Sequence, residues 1–136
     1  MSDFLAVANA AVEAGIAHAR QHGLRVAVVV LDATMAPVSV QRLDGSYHSA
    51  FAVAVAKART AVNFGAPTAA LAERIVPANQ AALANVVDGL MFVAGGVPIV
   101  AGGAVVGAVG VSGGSADQDE ACAQAAVSGS GTGSGA

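Results

Sequence analysis

His18 and His22 stand four residues apart in a stretch whose apolar residues, Phe4, Ala8, Ala11, Val12, Gly15 and Ala19, recur at helical spacing. Four residues is about one helical turn, so both imidazoles project from one face. Two imidazoles so spaced can chelate a divalent metal, or one can approach a haem iron. The competing explanation is electrostatic, because a helix C-terminus favours histidine whatever its function. No third ligand is evident, so the electrostatic explanation carries more weight from spacing alone, and no protein-only metal site is expected.

A denser group follows. Gln41-Arg42-Leu43-Asp44-Gly45-Ser46-Tyr47-His48 joins a strand end to a helix start and holds the only tyrosine. Arg42 could anchor a carboxylate through its planar fork, and His48 could move a proton with help from Tyr47 or Asp44. Arg42, Asp44, Tyr47 and His48 are therefore the catalytic candidates. Against that, Arg42 and Asp44 share one strand face and could simply pair beside a turn. Lys57 and Arg59, further on, read as a solvated helix edge, one of them within reach of Asp44.

The third candidate is Ser112-Gly113-Gly114-Ser115, a glycine turn between a strand and a helix start, the usual makings of an anion cradle. Its surroundings argue otherwise. Ser115 and Gln118 have capping-box spacing, which occupies helix donors, and Asp117, Asp119 and Glu120 would repel a phosphate. Neither a dinucleotide glycine fingerprint nor a phosphate-loop lysine is present. Gly107 and Gly110 fall on opposite strand faces and are better read as points of close packing.

Composition sets outer bounds. The chain has 136 residues, 55% hydrophobic and 11% charged, with a net charge of −3 and six Lys and Arg. So few cations give no basic stripe and argue against nucleic-acid binding. So few charges overall cover a monomer poorly, which points to a homo-oligomer. The single Cys122 excludes an intrachain disulfide and an all-cysteine metal site. No secretory signal is visible at the start, which makes the cytoplasm the default. The uncharged run Gly89–Ala116 is long enough to span a bilayer, yet Pro98 and paired glycines cut it into strand-length pieces. No membrane association is expected.

The elements that must position these groups follow from periodicity. A helix is predicted over about 3–22, a doubly buried strand over 26–31 and its hairpin partner over 38–43. A second helix runs from about Ser46 or Ser49 to Phe64, its apolar positions Phe51, Val55, Ala58 and Val62 keeping helical spacing. A short helix runs from Thr68 through Arg74, and a second hairpin pairs 97–101 with 104–112. Residues 115–127 form the last helix. Residues 1–127 make one domain and 128–136 a flexible Gly/Ser tail. Helices around two hairpins imply an α+β sandwich on an antiparallel sheet.

Three blocks carry a family resemblance: VAVVVLDATMAPVSVQRLDGS, AKARTAVNFGAPT and GGVPIVAGGAVVGAVGVSGGSADQDEACAQA. They resemble the haem-binding-protein family typified by HbpS and GlcG, which includes the C-terminal domain of PduO-type proteins. Arg42, Asp44, Gly45, Lys57, Thr60, Pro67 and Thr68 match the family pattern as they stand. The resemblance implies a profilin-like α/β/α sandwich with a five-stranded antiparallel sheet, in oligomers up to octamers. Some members bind haem or its breakdown products, one branch accompanies corrinoid enzymes, and others sit in glycolate or aromatic catabolism. Some relatives carry a histidine in the first helix where His18 lies, which makes His18 the axial candidate, with His22 beside it. This chain departs from the pattern at Ala33-Thr34-Met35-Ala36, where the family turn contains glycine, at His48, usually aliphatic, and at Ala50, commonly serine.

Two readings of function follow. The first is an oligomeric small-molecule binder taking haem or a related tetrapyrrole. The second is a cofactor-free isomerase or lyase acting on a small oxygenated or carboxylate metabolite, with Arg42 as anchor and His48 as acid and base.

Overall fold

A computed structural model describes residues 3–75, 77–85 and 88–134. The first helix, α1 (Phe4–Gln21), is capped by Asp3, whose carboxylate accepts the Ala6 N–H at 2.9 Å. Strands β1 (Ala27–Asp32) and β2 (Pro37–Arg42) form the first hairpin, and α2 (Ala50–Phe64) and α3 (Thr68–Ile75) follow. After a 3₁₀ turn (Ala81–Asn85), β3 (Gly96–Ala101) and β4 (Ala104–Ser112) make the second hairpin, and α4 (Ala116–Gly129) closes the order.

The sheet runs β2-β1-β4-β3 with every neighbouring pair antiparallel. The two central strands, β1 and β4, owe their place to composition: Val28, Val30, Val109 and Val111 bury one face, and Ala27, Val29, Leu31 and Ala108 the other. Helices α1 and α4 cover the first face and α2 the second. This is the expected α+β sandwich, helix layers on both sides of an antiparallel sheet.

Three expectations are corrected. The sheet has four full strands rather than five; the two-residue segment Gly133–Ser134 pairs with Ile99 and Val100 along the free edge of β3. That segment belongs to the stretch read as a flexible tail. Helix α4 runs on to Gly129 and Ser130 bonds Val127 O through its hydroxyl, so residues 128–134 carry structure that Gly/Ser composition alone conceals. The third correction is the face of α2. Its buried residues are Ala50, Ala54, Lys57, Ala58, Thr60 and Ala61, while Phe51 is exposed.

Close approach explains the alanine face. A Cβ on Gly110 would stand 1.9 Å from the carbonyl oxygen of Ala54, so α2 lies directly on the backbone of β4. Only small residues on both partners permit that distance. On the other face, a Cβ on Gly107 would meet the Phe4 ring at 2.6 Å, so both glycines serve packing.

Candidate functional site

The signature blocks converge at one point, and it is a structural joint. Lys57 on α2 passes the start of β3 and places Nζ 2.8 Å from Asp119 Oδ2 on α4 and 3.0 Å from Val111 O. Both side chains are almost wholly buried. Gly95 gives the Lys57 side chain its passage, since a Cβ there would lie 2.8 Å from Nζ, and Gly96 lets β3 approach the Lys57 backbone. Thr68 accepts the Gly96 N–H at 2.9 Å, and Thr60 accepts the Met91 N–H at 2.8 Å. Lys57 is therefore no solvated edge and does not pair with Asp44. Arg59 is exposed, as expected.

The glycine turn before α4 holds no free cradle. Ser115 Oγ accepts the Gln118 N–H at 3.2 Å, Gln118 Oε1 accepts the Ser115 N–H, and Asp119 Oδ1 accepts the Gly114 N–H at 2.9 Å. The donors an anion would need are already occupied by the helix's own side chains.

At the other end of α1, His18 and His22 stack with ring centroids 4.3 Å apart. They border a cleft of about 280 Å³ shared with Leu24, Asp117, Gln118 and Ala121. The His18 pKa lies below its ordinary value, first because burial disfavours the charged ring and then because His22 repels it. A ring kept neutral at neutral pH has a nitrogen lone pair to offer a metal. Among the described residues no group of three His, Cys, Asp or Glu side chains is placed to hold a metal ion.

The Arg42–His48 stretch does not assemble as one acid–base site. Arg42 and Asp44 line a cleft of about 390 Å³ with Arg20, Leu24, Arg25 and Leu43. Neither Tyr47 nor His48 takes part in it. Tyr47 turns instead to share a hydrogen bond with the Ser112 hydroxyl, and His48 is exposed. The turn at Gly45 sends the chain away from the β2 edge, so adjacency in sequence becomes separation in space.

A larger cavity, about 650 Å³, lies near the N-terminal end of α1, walled by Phe4, Val7, Ala101 and Val106. Its polar groups are already committed. Asp3 caps α1, and Asp32 Oδ1 accepts from Thr34 and Ala36, with its pKa lowered chiefly by the Thr34 hydroxyl. Among the described residues no nitrogen or sulfur side chain lines it that could ligate iron.

The sequence model of the HbpS-like family, described as haem-degrading proteins, matches residues 5–128. The chain belongs to the HbpS-like family. A double mutant of HbpS from Streptomyces reticuli is 37% identical with a TM-score of 0.84, covering 91% of this chain and 84% of that one. The Klebsiella pneumoniae protein ORFY is 27% identical with a TM-score of 0.87, covering 93% and 89%. A PduOC–haem complex is 26% identical with a TM-score of 0.89, covering 98% and 96%. No curated protein matches the chain.

In this HbpS-like chain, sequence reading missed three contributors. Asp119 was taken only as a helix-start charge, although an acid buried near a strand end needs a cation partner. Arg20 and Arg25 stood outside every motif, and only the hairpin that brings Arg42 back beside α1 reveals them.

Proposed function

We propose that this chain binds haem, with His18 as the axial ligand. The observation that carries the reading is the His18–His22 pair at an open cleft, with His18 held neutral. Membership of a family described as haem-degrading and the likeness to a PduOC–haem complex support it.

The residues present fit one side of a haem. His18 would hold the iron and His22, stacked beside it on the same helix, would flank it, since burial favours His18 over the more exposed His22. The cleft, about 280 Å³, is smaller than ordinary ligand pockets of about 300 Å³ and upward, so it would cover only part of a haem. When bound, haem would supply an iron able to take a small ligand. The chain's own residues bind, orient and keep His18 unprotonated.

The reading extends to a cytoplasmic homo-oligomer. Val40, Tyr47, Phe51 and Phe64 leave apolar surface exposed on a chain with few charges, as self-association requires. Among the described residues no helix is long and apolar enough to cross a membrane. The isomerase or lyase reading is not carried forward, since Arg42 and His48 do not share a site.

Titrating haem into the purified chain tests the proposal. Wild type should show a shifted Soret band that His18→Ala loses and His22→Ala retains. A wild type with no Soret shift defeats it.

A further inference from the structure

Three of the chain's six Lys and Arg side chains line one cleft: Arg20 near the end of α1, Arg25 just after it, and Arg42 at the end of β2. Antiparallel pairing makes the convergence obligatory, because Ala27 sits opposite Arg42 and brings the β2 end beside the α1–β1 connection. Arg25 is held in place, its Nη1 donating to Asp44 O at 3.0 Å while its stem packs under Gly45. Asp44 brings the only carboxylate of the cleft, and three guanidinium groups against one carboxylate leave an excess of positive charge. Among the described residues the one ion pair within 4.0 Å is Lys57–Asp119, so none of the three arginines has a carboxylate partner.

Like charges gathered without partners repel, and a chain of net charge −3 has no general surplus of cations to place there. Planar forks that converge on a concave surface match carboxylate oxygens pairwise, which scattered surface cations cannot do. We infer that the cleft formed by Arg20, Arg25 and Arg42 binds paired carboxylates. Two sources share that chemistry. One is the two propionates of a tetrapyrrole lying over the His18 cleft, which neighbours this one because Leu24 lines both. The other is a free di- or tricarboxylic acid. The first source rests on the haem reading and the second is independent of it.

The test uses two probes on wild type and on the Arg20→Gln/Arg42→Gln variant. Both side chains are exposed and make no hydrogen bond among the described residues, so the fold should hold; Arg25 is left in place because it also ties down the Asp44 loop. Citrate is titrated calorimetrically at low ionic strength, and haem and haem dimethyl ester are titrated by the Soret band. A weakening of about tenfold or more for citrate in the variant assigns the cleft to a free acid. The same weakening for haem, with the ester binding wild type no better than haem binds the variant, assigns it to propionates. Wild-type affinity for the effective probe should also fall steeply with added salt, a readout that needs no variant. If citrate binds neither protein, and haem and its ester bind wild type equally, the inference is overturned. If haem fails to bind at all, the haem reading falls and citrate alone decides.

Discussion

Lys57 Nζ lies 2.8 Å from Asp119 Oδ2, and the two side chains reach each other from helices on opposite faces of the sheet. A buried pair of this kind adds little net stability over an apolar isostere, yet losing one partner strands an uncompensated charge. Asp119→Ala should therefore cost about 3–5 kcal/mol, read from urea unfolding midpoints at constant m-value. Lys57→Met with Asp119→Leu should cost less than either single truncation. Additive losses in the double variant would show that the two residues act separately.

Glycine substitutions should separate packing from backbone strain. A Cβ on Gly110 meets the Ala54 carbonyl, which cannot move without displacing α2, so Gly110→Ala should cost about 3 kcal/mol or more. Gly102, at φ +58 in the β3–β4 turn, has nothing within 4 Å, and only its left-handed conformation opposes alanine. Gly102→Ala should cost about 1–2 kcal/mol. Thermal melting of the two variants decides, and equal losses would contradict the close contact of α2 with β4.

Much of this fold is legible because local rules and tertiary packing agree. Val26 to Leu31 reads as a doubly buried strand and β1 forms there, one residue later, at Ala27–Asp32, and the Ser115–Gln118 capping box forms as its spacing requires. The face of α2 was legible only in part. Large residues at helical spacing normally mark the inner face, but here the sheet comes closest at Ala54 and Ala58, Val55 and Val62 pack at the margin, and Phe51 is turned outward. The family's turn glycine is explained by Met35, which takes φ 67 where glycine would be unstrained. The candidate site was half legible. A helix face follows from spacing, so His18 and His22 do stack. The arginine cleft depends on strand register, which no local motif specifies.

The pH dependence of stability should carry the mark of His18. Its folded pKa lies below the ordinary 6.5, so the unfolded chain binds that proton more tightly. The contribution is complete above about pH 6.5 and is lost as pH falls through the lowered folded value. His18→Gln should flatten that acid-side slope in denaturation midpoints. His22→Gln should raise the His18 pKa part-way only, because burial outweighs the neighbouring charge. Titration of the His18 ring proton by NMR reads both effects, and full restoration by His22→Gln would show that charge outweighs burial.

Cys122 should be chemically silent in the folded chain. Its sulfur lies 3.2 Å from Gly15 O between α4 and α1, with no exposure to solvent. Burial first, and the Asp119 charge second, push its pKa up to about 12. Both the thiolate and the path to it are thus denied to an alkylating reagent. Iodoacetamide labelling of native protein at pH 8 should proceed only through opening of the α1–α4 contact. Its rate should rise with urea in step with unfolding, and rise with pH between 8 and 9.5 as an ordinary thiol of pKa about 8.5 does, because opening restores the exposed group. Rapid labelling of the native chain without denaturant would mean that α4 lifts from α1 on its own, and the core would then have a seam where the structure packs it shut.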